Sequence, residues 1–540
     1  MRPILFLSWA SALVPSLSVR VAVDTTAPRA VQSREHAYIC ATMDWWPPNK
    51  CDSADGTADC AWVDASANTA PITGDRLAEA VRALGEFTLR IGGTLADSVT
   101  YAVGADEDIE CPTFSPAMPT KARLFTGGCL TARRWEKLQS FCQRETGCAM
   151  LFGINAMVGR ECFNVDPSRA PCFYPDAQCT STWNPSNAEA LIRATVASGY
   201  PIQGWELGNE LSCLSPEQFA ESLYTLNAIV TDVHSEEGAR DLPYPFIVAT
   251  DAVSGEPTLP ANLLPLVEDF LYAYSWHSYP LGPGVDCTGY GGENNTTVDA
   301  QIMDPAGMDA FIAEAAGIDA VTRRATRPIQ AWMGETGGAY DSGCNGSTNA
   351  FMSGFWYLNA LGAFAAEGHH MFCRQTLIGG NYELVNKVTN IPNPDYYSTL
   401  LFGRLMGPEV LEVSVEVGGE ESFRAYAHCT RDSRPESGSV TVLMLNYASK
   451  NISATVASGS GLRMEYILTG VPTDRSVDAL HSDVVALNGR ILHPDPITGK
   501  IPDLEPEVVV GSSGNVVLPP QSYAFVVYPN MKAHACIIGH

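Results

Sequence analysis

A chain of 540 residues is too long for one hydrophobic core and calls for two domains. Its 46% hydrophobic and 17% charged residues fit a globular protein with a large interior. With 33 Lys and Arg against 60 Asp and Glu, the net charge of −27 repels nucleic acid and anionic membranes, and no basic run offsets it.

Residues 1–18 carry Arg2, an apolar run over 4–17, and small residues Ser16 and Ser18 flanking a cut, the pattern of a secretory signal peptide. An uncleaved anchor is the alternative, and no later stretch is long and apolar enough to span a bilayer. The expected location is extracellular. A lysosome-like compartment, or association with a membrane or cell wall, is left open. All 16 cysteines follow this leader, an even number that predicts disulfides in an oxidising compartment. Local spacing pairs Cys51 with Cys60 and Cys111 with Cys129, with Cys142–Cys148 as a further pair. Cys40 and Cys373 sit inside apolar strands and read as buried thiols. No pair has CxxC zinc spacing, so neither a metal nor a cofactor is expected. Sequons at Asn294, Asn295, Asn345 and Asn451 fit the secretory route.

Short apolar runs read as strands at 38–44, 87–92, 149–155, 202–210, 246–251, 271–279, 329–335 and 369–376. Helical patterns lie between them at 74–84, 131–145, 186–198, 215–234, 259–267, 306–324 and 349–367. Ser186 with Glu189, and Ser215 with Gln218, have capping-box spacing. This alternation predicts an α/β fold, a (β/α)8 TIM barrel over 37–408. Past Gly407 the runs alternate with period two, at 440–447, 464–468, 515–518 and 523–528, between Gly, Ser and Pro turns. That reads as a C-terminal antiparallel β-sandwich over 409–540, joined by 19–36, where 21–31 adds a strand. Insertions at 96–130 and 159–183 decorate the barrel.

Barrel chemistry sits at the C-terminal ends of strands. Those ends carry Asp44, Arg90, Asn155, Asn209 with Glu210, Asp251, His277 with Tyr279, Glu335, and Arg374 with Gln375. Any one alone reads as a hydrogen-bonded strand end. Their convergence reads as a site. Two carboxyls in one mouth, Glu210 and Glu335, suit glycoside hydrolysis, which needs a proton for the leaving oxygen and a nucleophile or base for the anomeric carbon.

Four stretches carry a family resemblance: Trp205-Glu206-Leu207-Gly208-Asn209-Glu210; Gly334-Glu335 through Tyr340; Cys373 to Thr376 with Gly379 to Tyr382; and Asn393 to Tyr397. The chain resembles heparanase and its plant relatives, glycoside hydrolase family 79, a clan A group of retaining β-glucuronidases, over nearly its whole mature length. The resemblance implies that Glu210 is the acid/base and Glu335 the nucleophile. It implies a glucuronate subsite in which Asp44, Thr94, Asn209, Tyr279, Gln375 and Tyr382 contact the sugar. His277 and Tyr340 are taken as further contacts. Backbone N–H groups of Asp341 and Ser342 would meet the substrate carboxylate. It also implies a disulfide between Cys429 and Cys536. The chain departs from heparanase at Ser278, where heparanase has a second His after the sixth strand, and at Asp341-Ser342, which replace a Gly pair. Residues 96–130 are also too short for an excised linker. The expected partner is a glucuronic-acid-containing glycan or glycoconjugate. Alternatives are endo-cleavage of heparan sulfate, for which Lys121, Arg123, Arg133, Arg134 and Arg160 are the few candidate cations, and a catalytically silent carbohydrate-binding wall protein on the same scaffold.

Overall fold

The computed structural model describes residues 17–50, 60–72, 74–116, 125–163, 178–236, 239, 241–253, 258–284, 297–417, 422–431, 437–457, 459, 461–473, 477–511 and 515–538. Cys51, the sequons at Asn294 and Asn295, Lys121, Arg123 and most of the expected leader lie outside them.

Eight strands close a parallel barrel: β1 (Ile39–Met43), β2 (Thr88–Ile91), β3 (Ala149–Ile154), β4 (Gly204–Leu207), β5 (Phe246–Val253), β6 (Ala273–His277), β7 (Gln330–Thr336) and β8 (Met371–Arg374). They neighbour one another in chain order, and β8 pairs with β1 to close the ring. A helix follows each strand: Asp75–Leu84, Ala132–Ser140, Ser186–Ala197, Pro216–Ser235, Thr258–Val267, Asp309–Thr322, Ser353–Ala366 and Pro394–Leu405. The last was not in the sequence reading, although Asn393 as its N-cap with Pro394 in the first turn is a start signal.

Strand alternation sends one face inward. Leu151, Val248, Ala273, Trp332 and Met371 pack with Cys40 and Cys373 into an apolar interior cluster. Above that floor the inward positions turn polar, with Arg90 and Glu206 fully buried. Cys40 and Cys373 are not thiols. They stand abreast in the β1–β8 register and form a disulfide. The reading missed this because the partners lie 333 residues apart and meet only when the barrel closes. Cys111–Cys129, Cys142–Cys148 and Cys429–Cys536 are bonded, as is Cys162–Cys179 between two short antiparallel strands.

Ser215 and Gln218 form a reciprocal capping box. The other expected box is absent. Pro185 occupies the N-cap, Ser186 is the first helical residue, and Glu189 pairs instead with Arg193 at 2.8 Å. The helix Ser353–Ala366 is apolar on nearly all sides because both sides are covered. Beyond it, Phe351 stacks on Tyr523 at 4.8 Å and Phe355 meets Tyr447 at 5.0 Å.

Those tyrosines belong to antiparallel sheets built from the C-terminal residues. The larger sheet runs from Ala30–Val31 through Met406–Leu411, Phe423–Thr430, Val440–Asn446, Ser522–Tyr528 and Gly461–Gly470 to Val485–Leu487 and Arg490–Ile491. The smaller orders Val413–Val417, Leu17–Val23, Ile452–Val456 and Asn515–Leu518. Val21, Val442, Ala454, Val516 and Val526 share the core of these sheets. The strand Leu17–Val23 takes in Leu17 and Ser18, which the leader reading had placed before the cut. Among the described residues no helix is long and apolar enough to cross a membrane.

Candidate active site

Two irregularities set the mouth of the barrel. In β7, Trp276 faces Met333, but the next pair is His277 with Glu335, so Gly334 is skipped. This bulge turns Glu335 onto the inner face that Gly334 would otherwise hold. A Cβ at Gly334 would collide with Ser275 Oγ and lie 3.0 Å from Asp251 Oδ1, so glycine is needed there. In β5 the register slips at Asp251, which takes φ 51°. At the end of β4, Gly208 (φ 75°) and Glu210 (φ 57°) are both left-handed. That turn is pinned by Glu210 N–H donating to Asp251 O at 2.8 Å.

Arg90 is the centre of the buried charge. Its guanidinium donates to Glu206 Oε2 at 2.6 Å, to Glu335 Oε2 at 2.9 Å, to Asn209 Oδ1 at 3.0 Å, and to Asp251. Tyr279 O–H donates to the other oxygen, Glu335 Oε1, at 2.6 Å. Glu335 therefore accepts on both oxygens, the arrangement that suits a carboxylate. His277 Nδ1 is 2.9 Å from Glu210 Oε1, and its Nε2 is 3.2 Å from Asp251 Oδ1. Burial pulls the His277 pKa down, but Asp251 and Glu335 outweigh it and lift it to about 10. Burial raises the Glu210 carboxyl, while the bond to His277 draws it part of the way back. Burial likewise pushes Glu206 up to about 8, against Arg90. Asp251 is held low despite burial by Arg90 and His277.

One oxygen of Glu210, one of Glu335 and a His277 nitrogen lie within 4.8 Å of one another. These groups could cage a cation by distance. Both His277 nitrogens already face carboxyl oxygens, of Glu210 at 2.9 Å and Asp251 at 3.2 Å, and the surrounding negative charge favours the imidazolium over a lone-pair donor.

Asp44, past β1, accepts from Trp45 N–H at 2.7 Å and from Gln375 Nε2 at 3.0 Å. Thr42 holds the other end of the Gln375 amide. Burial and the nearby Glu335 push Asp44 up to about 7. A Cβ on Gly93 would stand 2.5 Å from this carboxyl, so the turn before Thr94 admits Asp44 only with glycine there. Asn209 N–H is held by Asp97 Oδ2 at 2.8 Å, and its Oδ1 by Arg90. Its buried Nδ2 has no partner among the described residues, leaving an amide donor beside Glu210.

The structure thus gathers Asp44, Asn209, Glu210, His277, Tyr279, Glu335 and Gln375. Ser342 and Tyr382 stand further along the wall, where Trp62 donates to Ser342 Oγ at 2.8 Å and meets the Tyr382 ring edge-on at 6.4 Å. Tyr340 is 44% exposed at the rim, edge-on to Tyr279 at 6.4 Å. Asp341 is left-handed (φ 56°), and Thr94 opens a short 3-10 turn. Two strand-end residues serve the scaffold instead. Asn155 Nδ2 donates to Val99 O at 3.0 Å. Arg374 pairs with Asp395 at 2.9 Å under the Trp356 and Tyr357 rings. Glu206, Asp97, Lys50 and Trp62 received no role from the sequence. A Glu in β4 and an Arg in β2, each in an otherwise apolar strand, were the available signal for Glu206.

Residues 18–362 match the family described as glycosyl hydrolase family 79, N-terminal domain. Similarity along nearly the whole chain extends to heparanase-like protein 3 of Arabidopsis thaliana, 33% identical over 94% of this chain and 92% of that one. Baicalin-beta-D-glucuronidase of Scutellaria baicalensis is 34% identical over 92% of this chain and 90% of that one. In architecture the chain is like the GH51 arabinofuranosidase from Xanthomonas axonopodis pv. citri, with a TM-score of 0.60, 15% identity, and coverage of 95% of this chain and 99% of that one.

Proposed function

The chain belongs to glycosyl hydrolase family 79 and is a glycoside hydrolase, and from that premise we propose a retaining β-glucuronidase with Glu210 as acid/base and Glu335 as nucleophile. One observation carries the mechanism. The nearest oxygens of the two carboxyls lie within 4.8 Å, which supports the close spacing of a retaining pair over one spread apart to admit a water. A relative named as a β-glucuronidase, at 34% identity over most of both chains, supports the sugar.

In the first step Glu210 gives its proton to the glycosidic oxygen as Glu335 attacks the anomeric carbon. The aglycone leaves as an alcohol, and the sugar is held as an ester on Glu335. Water then enters, Glu210 takes its proton, and the ester opens to release glucuronate with its β configuration. Burial favours the protonated Glu210 needed first. Asn209 Nδ2, without a partner among the described residues, is placed to donate to a sugar hydroxyl during both steps. The hydrogen bonds from Arg90 and Tyr279 hold Glu335 in one rotamer for attack. The test is hydrolysis of an activated aryl β-glucuronide. Glu335→Gln is expected to abolish it, and azide to rescue Glu210→Ala. Full activity in either variant contradicts the assignment.

Secretion is part of the same proposal. Among the described residues there are no free cysteines, which suits an oxidising compartment. N-terminal sequencing of protein recovered from the medium tests it, and protein kept inside cells with residues 1–18 still attached contradicts it. The net charge of −27 disfavours dense sulfated polymers, so a less sulfated glucuronide is the preferred substrate over heparan sulfate.

A further inference from the structure

One buried cation takes no part in the chemistry above. Lys50, in the loop after β1, is 4% exposed. Its Nζ lies 4.3 Å from the centre of the Trp46 ring and 5.9 Å from that of Trp62, both cation–π distances. Nζ also donates to Ser342 Oγ at 3.0 Å, and Trp62 Nε1 donates to the same oxygen at 2.8 Å.

A hydroxyl oxygen has two acceptor positions and one hydrogen. Both acceptor positions of Ser342 are filled, one by a cation, so only its own hydrogen is left to give. Ser342 is 3% exposed, and among the described residues no acceptor takes that hydrogen. A buried, polarised O–H beside an ammonium is half of an anion site. Its surroundings place it in the barrel mouth. Ser342 O accepts from Asn381 N–H at 2.6 Å, next to Tyr382. The Lys50 charge also acts on Asp44, which feels the charge of Glu335 as well. The backbone adds a second sign. Ser342 keeps its side chain at φ 71°, a conformation glycine takes more readily, and the hydroxyl is what that side chain contributes.

We propose that Lys50 and Ser342 form the carboxylate subsite that selects a uronate over the corresponding neutral hexose, with Ser342 O–H donating to the carboxylate and Lys50 supplying the charge. This rests on the β-glucuronidase reading and adds a side-chain determinant to the backbone donors expected there.

The test uses the full-length enzyme with 4-nitrophenyl β-D-glucuronide and 4-nitrophenyl β-D-glucoside, and free glucuronate and glucose as competitive inhibitors. Lys50→Met is expected to lower kcat/KM for the glucuronide about 100-fold and Ser342→Gly about 10-fold, chiefly through KM, as for lost charged and neutral hydrogen bonds. The glucuronate inhibition constant should rise in step, with glucoside turnover and glucose inhibition changing less than about threefold. Equal losses on both sugars would make Lys50 a structural prop and overturn the proposal, as would unchanged glucuronide kinetics. Ser342→Gly suits the observed backbone, so it keeps the test intact if Lys50→Met does not fold. Failure of the unaltered enzyme to turn over the glucuronide would overturn the activity reading itself, and is seen before any variant is compared.

Discussion

At Glu210 two influences oppose each other. Burial favours the protonated acid, and the His277 imidazolium favours the anion. Replacing His277 by Gln removes the charge that pulls the Glu210 pKa down, so the pKa should rise. The alkaline limb of the pH profile of kcat/KM for an aryl glucuronide is then expected to move to higher pH, with kcat reduced about 10-fold or more. An alkaline limb that moves to lower pH would show that His277 does not act on the acid in this way. At this scale the two glutamates were legible because each ends an apolar strand at the side where barrels keep their chemistry. Arg90 was legible as a polar strand end but not as the hub of Glu206, Asn209, Asp251 and Glu335, because those contacts join four different strands. Lys50 and Trp62 gave no periodic signal, since they sit on the irregular segment between β1 and its helix.

Elements position these residues through features that single strands do not display. The runs that became β1 to β8 were readable from composition, because buried parallel strands are short and apolar throughout. The bulges at Asp251 and Gly334 were not, because register belongs to a pair of strands. Ser186 shows the same limit. Its spacing to Glu189 fits a capping box, but Pro185 takes the cap. The Cys40–Cys373 disulfide ties the first strand to the last at the barrel seam. Closing so long a loop is expected to stabilise the fold by roughly 2–4 kcal/mol. The Cys40→Ala/Cys373→Ala protein should therefore melt several degrees lower, read by thermal unfolding at one scan rate. An unchanged midpoint would mean that closure of the barrel owes nothing to the bond.

Across the whole molecule, buried carboxyls set the response to pH. Burial pushes Asp44, Asp97 and Glu383 up to about 7, Glu206 to about 8 and Asp395 to about 6. Raised carboxyls bind protons in the folded state that the unfolded chain has released. Their contribution is complete below about pH 4 and is lost as pH rises through 6 to 8. Four histidines act the other way, His36 among them, lowered by burial. Burial lowers His369 to about 3 and His370 and His428 to about 4, which costs stability as pH falls below about 6.5. Asp251, held low, adds a loss under acid conditions below about pH 4. Five carboxyls, together with the raised His277, outweigh four histidines between pH 7.5 and 5, so the melting temperature should be higher at pH 5 than at pH 7.5. A stability maximum at pH 7.5 or above would contradict this balance. The C-terminal sheets were legible at this scale from the change of period after Gly407. The return of Leu17–Val23 to pair with Ile452–Val456 was legible only as an added strand near residue 21. Double displacement on a β-glucuronide by Glu210 and Glu335 is read by proton NMR of the first sugar released from an aryl β-D-glucuronide. The β-anomer of glucuronate is expected to appear first and to mutarotate later. First appearance of the α-anomer would contradict double displacement.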